Sequence, residues 1–462
     1  AWPPTSHVVH PLSEAFAHFI QHPVPLGEEE VYLCTRSILD TVGAMVLGSR
    51  TGVVEKAARV IPRAGKATLA GIGGGFSARD AAFLNGISGH ELELDDTSSS
   101  NLGHPTVAVL PALLALGEEL NSPGEELIRA FAVATEVECK LGRLCAHALH
   151  ERGWHASSVT GIVGAAAGAA YLLKLKEKEL VNCLGIAASM AAGVRENFGT
   201  DTKSLHIGKA AADGLLAACL AREGCTASSS ALDGREGYLY EYSGLRFDPF
   251  GSDWYKTLGN RYDVCTPGFA IKQYPSCSST HRAVDAFVDL AQVHHFQPED
   301  IASIRVELSA AALRELVTPE PRTGDEAKFS VGFQVALYLS GLDNMPDNYT
   351  EKIIFRPDIQ RIIKATHLCH AERYDALPVD MGVGPAFVSV TLLDGTEYHT
   401  ERIYPVGHRT DPISDQALEE KFLRCTRPVL GEEQARVLCR TLWKLKDDAV
   451  TNLMRQTVPI LR

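Results

Sequence analysis

From Ser13 to roughly Arg222 the chain repeats one pattern, apolar side chains every three or four residues, and this periodicity restricts that half to packed α-helices. The runs Val31 to Leu47, Val107 to Leu120, Glu125 to His150, Lys178 to Ala192 and Ile207 to Ala221 all carry it. Gly48-Ser-Arg, Asn121-Ser-Pro-Gly124 and Gly199-Thr-Asp-Thr202 punctuate them with residues that stop and restart helices. The most apolar stretch, Val159 to Leu173, is about fifteen residues long and rich in Gly and Ala. It falls short of the roughly 20 residues that span a bilayer and reads as a buried helix packed closely on its neighbours.

Around Asp248 to Cys265 the character shifts to Trp, Tyr, Gly and Asp, and the period then drops to two. Ile301 to Leu308, Ala386 to Leu393 and Thr396 to Ile403 alternate apolar and polar residues, and Asp394-Gly395 joins the last two as a hairpin. Helices are expected at Ser279 to His294 and Lys328 to Leu342. After Pro412-Ile413-Ser414 the helical pattern returns, at Asp415 to Arg424 and Glu432 to Leu445, with Ser414 as the cap of the first. A chain of 462 residues is too long for one simple core. The expected fold is mainly α with an α+β insert: a large helical domain from residues 1–267 and 404–462, and a smaller α+β lid domain from 268–403. Gly71-Ile-Gly-Gly-Gly75-Phe76 has the look of a phosphate loop, but Phe76 takes the third glycine position and no P-loop lysine follows, so a flexible connector is expected.

Charge narrows the function. Lys plus Arg total 44 against 57 Asp plus Glu, a net charge of −13 that disfavours nucleic acid or an anionic membrane as partner. An anionic small substrate therefore needs a local basic pocket. The 11 cysteines are scattered without disulfide-framework or CxxC spacing and read as reduced, mostly buried thiols of an intracellular protein. Ala1 to His7 has no basic region leading into an apolar run, so no secretory signal is expected. The expected location is cytoplasmic, with a mitochondrial one open.

One segment concentrates chemistry. His90-Glu-Leu-Glu-Leu-Asp-Asp-Thr97, followed by His104-Pro105, brings four carboxylates and two imidazoles into fifteen residues, with Gly86, Gly89, Gly103 and Ser98 to Asn101 around them. Three other neighbourhoods complement it: Gly153-Trp-His155, Thr202-Lys203-Ser-Leu-His206-Ile-Gly208, and Ile271-Lys272-Gln-Tyr-Pro-Ser-Cys277 with His281. Abstracting a proton next to a carboxylate requires a base, an acid and cations that stabilise the developing negative charge, and the set supplies all three. Lys203 and His206, three apart, share a face if the segment is helical. Each residue also has a structural alternative: the histidines as caps or packed core groups, the lysines as solvated surface, Asp95 and Asp96 as helix caps. A metal held by His90, Glu93 and Asp96 is a further alternative, weakened by the absence of a His-Glu-x-x-His motif or an EF-hand loop.

The sequence resembles the MmgE/PrpD family, which includes 2-methylcitrate dehydratase, cis-aconitate decarboxylase and iminodisuccinate epimerase. The resemblance runs over nearly the whole chain and rests on seven blocks in order: Ala81 to Gly86, Leu94-Asp-Asp-Thr97 with His104-Pro105, Gly153-Trp-His155, Thr202-Lys203-x-x-His206-x-Gly208, Lys272-x-Tyr-Pro-Ser-Cys277 with His281, Glu326-Ala-Lys-Phe-Ser330, and Pro412-Ile-Ser414 with Leu418 to Phe422. It implies a helical domain built from both chain ends, an α+β lid, a homodimer, a cleft between the domains, and no metal or organic cofactor. Carried onto this chain, the site positions of the decarboxylase branch are Glu93, Thr97, His104, His155 and Lys203, with Lys272 opening the lid. Two positions depart from that branch: Glu93 stands where Asp is common, and Cys277 stands where a lid histidine is found. Asn197-Phe-Gly-Thr200 and Pro321-Arg-Thr323 lean toward the epimerase-like and bacterial branches.

The expectation is a cofactor-independent lyase, a dehydratase or decarboxylase, acting on a small di- or tricarboxylate through a carbanion or enolate-like state. His104 is the expected general acid or base, tuned by Asp96 and Glu93. Lys203, Lys272 and His155 hold carboxylates and stabilise charge, and Glu93, Thr97, His206 and His281 complete the binding site. The alternative is an epimerase that reprotonates from the opposite face, with Lys203 or Lys272 facing His104. A non-catalytic binding protein is the remote alternative.

Overall fold

The computed structural model describes residues 11–246, 257–376 and 383–460. Ala1 to His7 and the first half of the Asp248-to-Cys265 transition lie outside the described residues. The architecture is the expected one, a large body of helices with a smaller α+β unit, and each has its own apolar core. The first core gathers side chains from Leu12 through Ile271 and again from Ile413 through Met454. The second runs from Ala283 to Val390.

The helical body is built on Glu28–Gly48, Ala78–His90, Pro105–Leu120, Gly124–Glu151, Ala156–Leu172 and Asp201–Arg222. Helix Glu28–Gly48 is long and apolar enough to cross a bilayer by length and composition, yet 78% of its apolar window is buried among the other helices. The chain end docks back onto it: a Cβ added to Gly43 would lie 2.9 Å from the ring of Phe422, on helix Asp415–Leu430. Ser414 caps that helix as expected, its Oγ accepting from the amide of Ala417 at 3.1 Å, and the helix runs on through Pro428 to Leu430. Helix Asp201–Arg222 begins at Asp201, not Ile207, so Lys203 and His206 are both helical.

Two helices come unusually close. A Cβ on Gly86 would lie 2.8 Å from Gly208 Cα, and one on Gly208 would lie 2.4 Å from the Phe83 carbonyl oxygen, so both positions require glycine. This contact sets His90, at the end of Ala78–His90, beside the first turns of Asp201–Arg222.

In the α+β unit four strands line up in the order β4-β3-β5-β6, where β3 is Ile301–Leu308, β4 Thr366–His370, β5 Ala386–Leu392 and β6 Glu397–Arg402. β5 and β6 pair antiparallel across Asp394-Gly395, with Gly395 at φ +86°, as the alternation predicts. β3 pairs antiparallel with β5, Ile304 opposite Val390, and parallel with β4, Ile304 opposite Thr366. The parallel strand β4 was not expected, because Thr-His-Leu-Cys-His carries no apolar alternation. Helices Ser278–His294, Val331–Leu339 and Pro357–Ala365 supply the rest of this core. The second of these starts at Val331 because the Ser330 hydroxyl caps it through the Phe333 amide. The glycine-rich segment also differs from expectation: Gly73–Phe76 (β2) pairs antiparallel with Ala67–Leu69 (β1) in a short hairpin.

Candidate active site

The site is organised by the loop that follows helix Ala78–His90. Glu93 adopts φ +55°, a left-handed conformation that costs a non-glycine residue on the order of 1 kcal/mol, and the chain turns back so that Asp95 returns to His90. Thr97 then forms two backbone hydrogen bonds with Ala270, N to O at 2.9 Å and O to N at 2.8 Å, which bring Lys272 to the loop. Reciprocal Ser98 and Gly103 bonds close the loop, and His104 sits at the start of helix Pro105–Leu120 with its amide donating to Ser157 Oγ at 3.0 Å. A Cβ on Gly103 would fall 2.3 Å from that Oγ, so the glycine is required for this approach.

Three buried imidazoles, His90, His104 and His155, meet here. The His90 and His104 rings stand edge to face at 4.6 Å between centroids, and His90 to His155 is 5.8 Å. One oxygen of Asp95 serves two of them: Oδ2 lies 2.8 Å from His90 Nδ1 and 3.1 Å from His104 Nδ1. Burial acts to raise the pKa of Asp95, but His104 and then His90 beside it prevail and hold the carboxyl well below its usual range. His90 moves the other way, lowered to about 4 chiefly by burial, so it is a neutral ring at neutral pH. His155 is held well below its ordinary value by burial, with His90 and Lys203 adding to the effect, and its Nδ1 lies 3.2 Å from His206 Nδ1.

The cationic half converges on Glu93. Lys203 pairs with Glu93 Oε1, and Lys272 donates to Oε2 at 3.1 Å. Burial works against both charged partners, yet the pair wins: Lys203 is raised by Glu93, and Glu93 falls well below the ordinary carboxylate range because of Lys203 and Lys272. The ammonium of Lys203 also lies 5.1 Å from the centre of the Phe198 ring. The cleft opens past His90, Glu91, Glu93, Thr200, Asp201, Lys203, Ser204, Asp325 and Lys328, where Lys328 from the α+β unit donates to the Glu91 carbonyl at 3.0 Å.

Seven of the residues singled out from sequence thus come together: Glu93, Thr97, His104, His155, Lys203, His206 and Lys272. Asp96 is buried but turned away, accepting from Thr106 Oγ1 at 2.5 Å and the Thr106 amide at 3.3 Å, where it caps the following helix. Burial, with Asp40 and Asp95 nearby, pushes its pKa up to about 7 even though Thr106 acts to lower it. His281 is buried in the α+β unit beside Tyr274, its Nε2 3.4 Å from the Ser276 carbonyl, and makes no ring contact with the three imidazoles. Cys277 is a partly buried thiol pushed up to about 12 by loss of solvent and by Glu315, whose Oε2 lies 3.6 Å from its sulfur.

Sequence reasoning passed over two participants, His90 and Asp95. Their signal was the five-residue spacing across a left-handed turn, which helical periodicity does not register. Among the described residues the grouping with metal-ligand atoms close together is His90, Asp95 and His104, not the triad His90, Glu93 and Asp96, since Glu93 faces lysines and Asp96 faces Thr106. The Nδ1 atoms of His90 and His104 stand at hydrogen-bonding distance from Asp95 Oδ2, a geometry satisfied by protons. Among the described residues all eleven cysteines are free and seven are buried, as expected.

A buried set of imidazoles, two ionised carboxylates and two lysines, gathered where a helical body meets an α+β unit, defines an acid–base enzyme. Comparison with known proteins places it further: the MmgE/PrpD N-terminal domain matches residues 15–248 and the MmgE/PrpD C-terminal domain residues 274–446. The chain belongs to the MmgE/PrpD family and is a lyase of that type. It is 30% identical to the human protein named cis-aconitate decarboxylase, over 97% of this chain and 95% of that one. The mouse protein of the same name is 29% identical over 89% and 86%, and one from Aspergillus terreus 24% identical over 91% and 88%. None of these three bears an epimerase name, so the lean of Asn197 to Thr200 and Pro321 to Thr323 toward that branch finds no support in them.

Proposed function

We propose that this chain decarboxylates a small tricarboxylic acid, cis-aconitate or a close analogue, by proton transfer next to a carboxylate. The observation that carries the reading is the Lys203 and Lys272 pair closing on Glu93 beside the imidazoles, one lysine from each side of the cleft. A substrate carboxylate has the charge and shape of the Glu93 carboxylate and competes for the same two ammonium groups. Those cations stabilise the negative charge that builds up as the carbon–carboxylate bond breaks, and His104, buried against Asp95, delivers or removes the proton. His155, neutral and paired with His206, orients the substrate. Residues 268–403 act as the lid that brings Lys272 to the site, and the functional unit is a homodimer. The names of the relatives support the decarboxylase over the dehydratase.

Product analysis tests this. Incubation with cis-aconitate in D₂O is expected to release CO₂ and give a product carrying one solvent deuterium. Loss or gain of water without CO₂ identifies a dehydratase instead, and deuterium exchange with no other change identifies an epimerase. Sedimentation is expected to show a particle of twice the 49.9 kDa chain mass.

A further inference from the structure

We propose that His90 is a second proton-carrying catalytic residue of this site, and that Asp95 is the positioning residue that fixes the tautomer of both His90 and His104. The proposal rests on the reading of the site as one that transfers a proton to or from a polycarboxylate.

His90 is 1% exposed and lines the cleft. Its Nδ1 is committed to Asp95 at 2.8 Å, while its other nitrogen, Nε2, is buried and has no hydrogen-bond partner among the described residues. Leaving a buried polar atom unpaired costs about 1–3 kcal/mol, and a native structure keeps such an atom where a ligand or a transferred proton completes it. Asp95 is ionised and can only accept, so the hydrogens at 2.8 and 3.1 Å belong to Nδ1 of His90 and Nδ1 of His104, and the Asp96 backbone carbonyl, also 3.1 Å from His104 Nδ1, accepts from the same N–H. That assignment leaves Nε2 of each ring as the nitrogen that gives or takes the transferred proton. One carboxylate therefore presents two rings in the same tautomer, 4.6 Å apart.

The two rings form a unit that holds one extra proton at a time. Asp95 offsets a single imidazolium, while a second would meet the first at ring contact and would also face Lys203. The groups facing His90 are Asp95, His104, His155, Lys203 and Glu93. In decarboxylation the carbon–carboxylate bond breaks, CO₂ leaves, and the electron pair stays on the carbon skeleton. A new C–H bond then forms with the Nε2 proton of His104, which returns to neutral. One proton from solvent must restore the unit: His90, on the cleft lining with Thr200, Asp201 and Ser204, takes it up at Nε2 and passes it to the free Nε2 of His104, which leaves His90 neutral and His104 ready to donate again. Each turnover consumes one proton and one carboxylate and releases one CO₂.

The test compares His90→Gln with His104→Ala, both assayed on cis-aconitate with thermal unfolding as the folding control. Glutamine keeps a donor toward Asp95 but carries no proton. The expected result for His90→Gln is a fall in kcat of about 10²-fold with KM and the unfolding midpoint little changed. Asp95→Asn is expected to shift the alkaline limb of the kcat profile to lower pH by a unit or more, because the proton-donating imidazolium loses its counter-charge. If Asp95→Asn does not fold, the His90→Gln profile decides alone. A folded His90→Gln enzyme with wild-type kcat and pH profile, alongside an inactive His104→Ala enzyme, overturns the proposal and leaves the decarboxylase reading standing. Full activity in His104→Ala, or no turnover of cis-aconitate by the unmodified enzyme, overturns the reading beneath it.

Discussion

The two walls of the cleft bury polar groups in opposite ways. On the helical wall several are left incomplete: His90 Nε2, Asp95 Oδ1, Asn101 Oδ1 and Glu138 Oε2 are buried without a hydrogen-bond partner among the described residues. On the α+β wall two buried charged side chains, Asp285 and Arg282, are hydrogen-bonded. Asp285 accepts from Tyr274 Oη and from the Val406 amide, both at 2.7 Å, and Arg282 donates to the Ile403 carbonyl at 2.9 Å. Unpaired buried atoms destabilise the fold, and two of these, His90 Nε2 and Asp95 Oδ1, belong to the acid–base cluster itself. Lys272, on the segment that leads from the helical core into this unit, reaches the Glu93 cluster.

The contrast breaks most directly at His104. If the helical wall is built for reaction, His104→Ala lowers turnover by about 10² or more while the unfolding midpoint barely moves. Steady-state kinetics and calorimetry on one sample check both halves of that statement. Asp285→Ala is the mirror case: it leaves Tyr274 and the Val406 amide unpaired, so a loss of about 1–3 kcal/mol in denaturant unfolding is expected, with kcat per folded molecule retained.

A third test uses pH. Asp96 is raised by burial to about 7 in the folded state, so the folded chain holds a proton that the unfolded chain releases above its ordinary carboxylate pKa. Stability from this group is therefore greatest at low pH and declines as pH rises toward 7. Replacing Asp96 with Asn removes the titration while keeping an acceptor for Thr106, and should flatten the decline by roughly 1–2 kcal/mol between pH 5 and 7. A variant whose stability falls with pH as steeply as the wild type would place the proton elsewhere. The smallest effect belongs to the surface of the α+β unit, where Arg356 and Asp358 pair at 2.6 Å with side chains 38% and 45% exposed. Asp358→Ala should change stability by no more than about 0.5 kcal/mol.

Local features of this chain were readable and non-local ones were not. The β5 and β6 hairpin follows from period two and an Asp-Gly turn, and the Ser414 cap from one residue type ahead of a helical run. Lys203 and His206 reach one site because three residues of helix put them on one face. β4 stayed hidden because a parallel partner is specified by sheet context and not by its own five residues. The Glu93 cluster joins residues 110 and 179 positions apart, which no window of sequence displays. The roles of Asp95 and Asp96 diverge through backbone geometry alone: adjacent carboxylates, one folded back on two imidazoles and the other on a helix end.

The paired backbone bonds between Thr97 and Ala270 have a mechanical consequence. They stitch the root of the α+β segment to the same loop that carries Glu93 and Asp95, so a swing of the lid proposed above would pull on the acid–base loop through residue 270. Solvent entry and proton readiness are then not independent adjustments. Amide hydrogen exchange at Thr97 and Ala270 would time both with one clock, and a ligand that slows one amide should slow the other to the same degree.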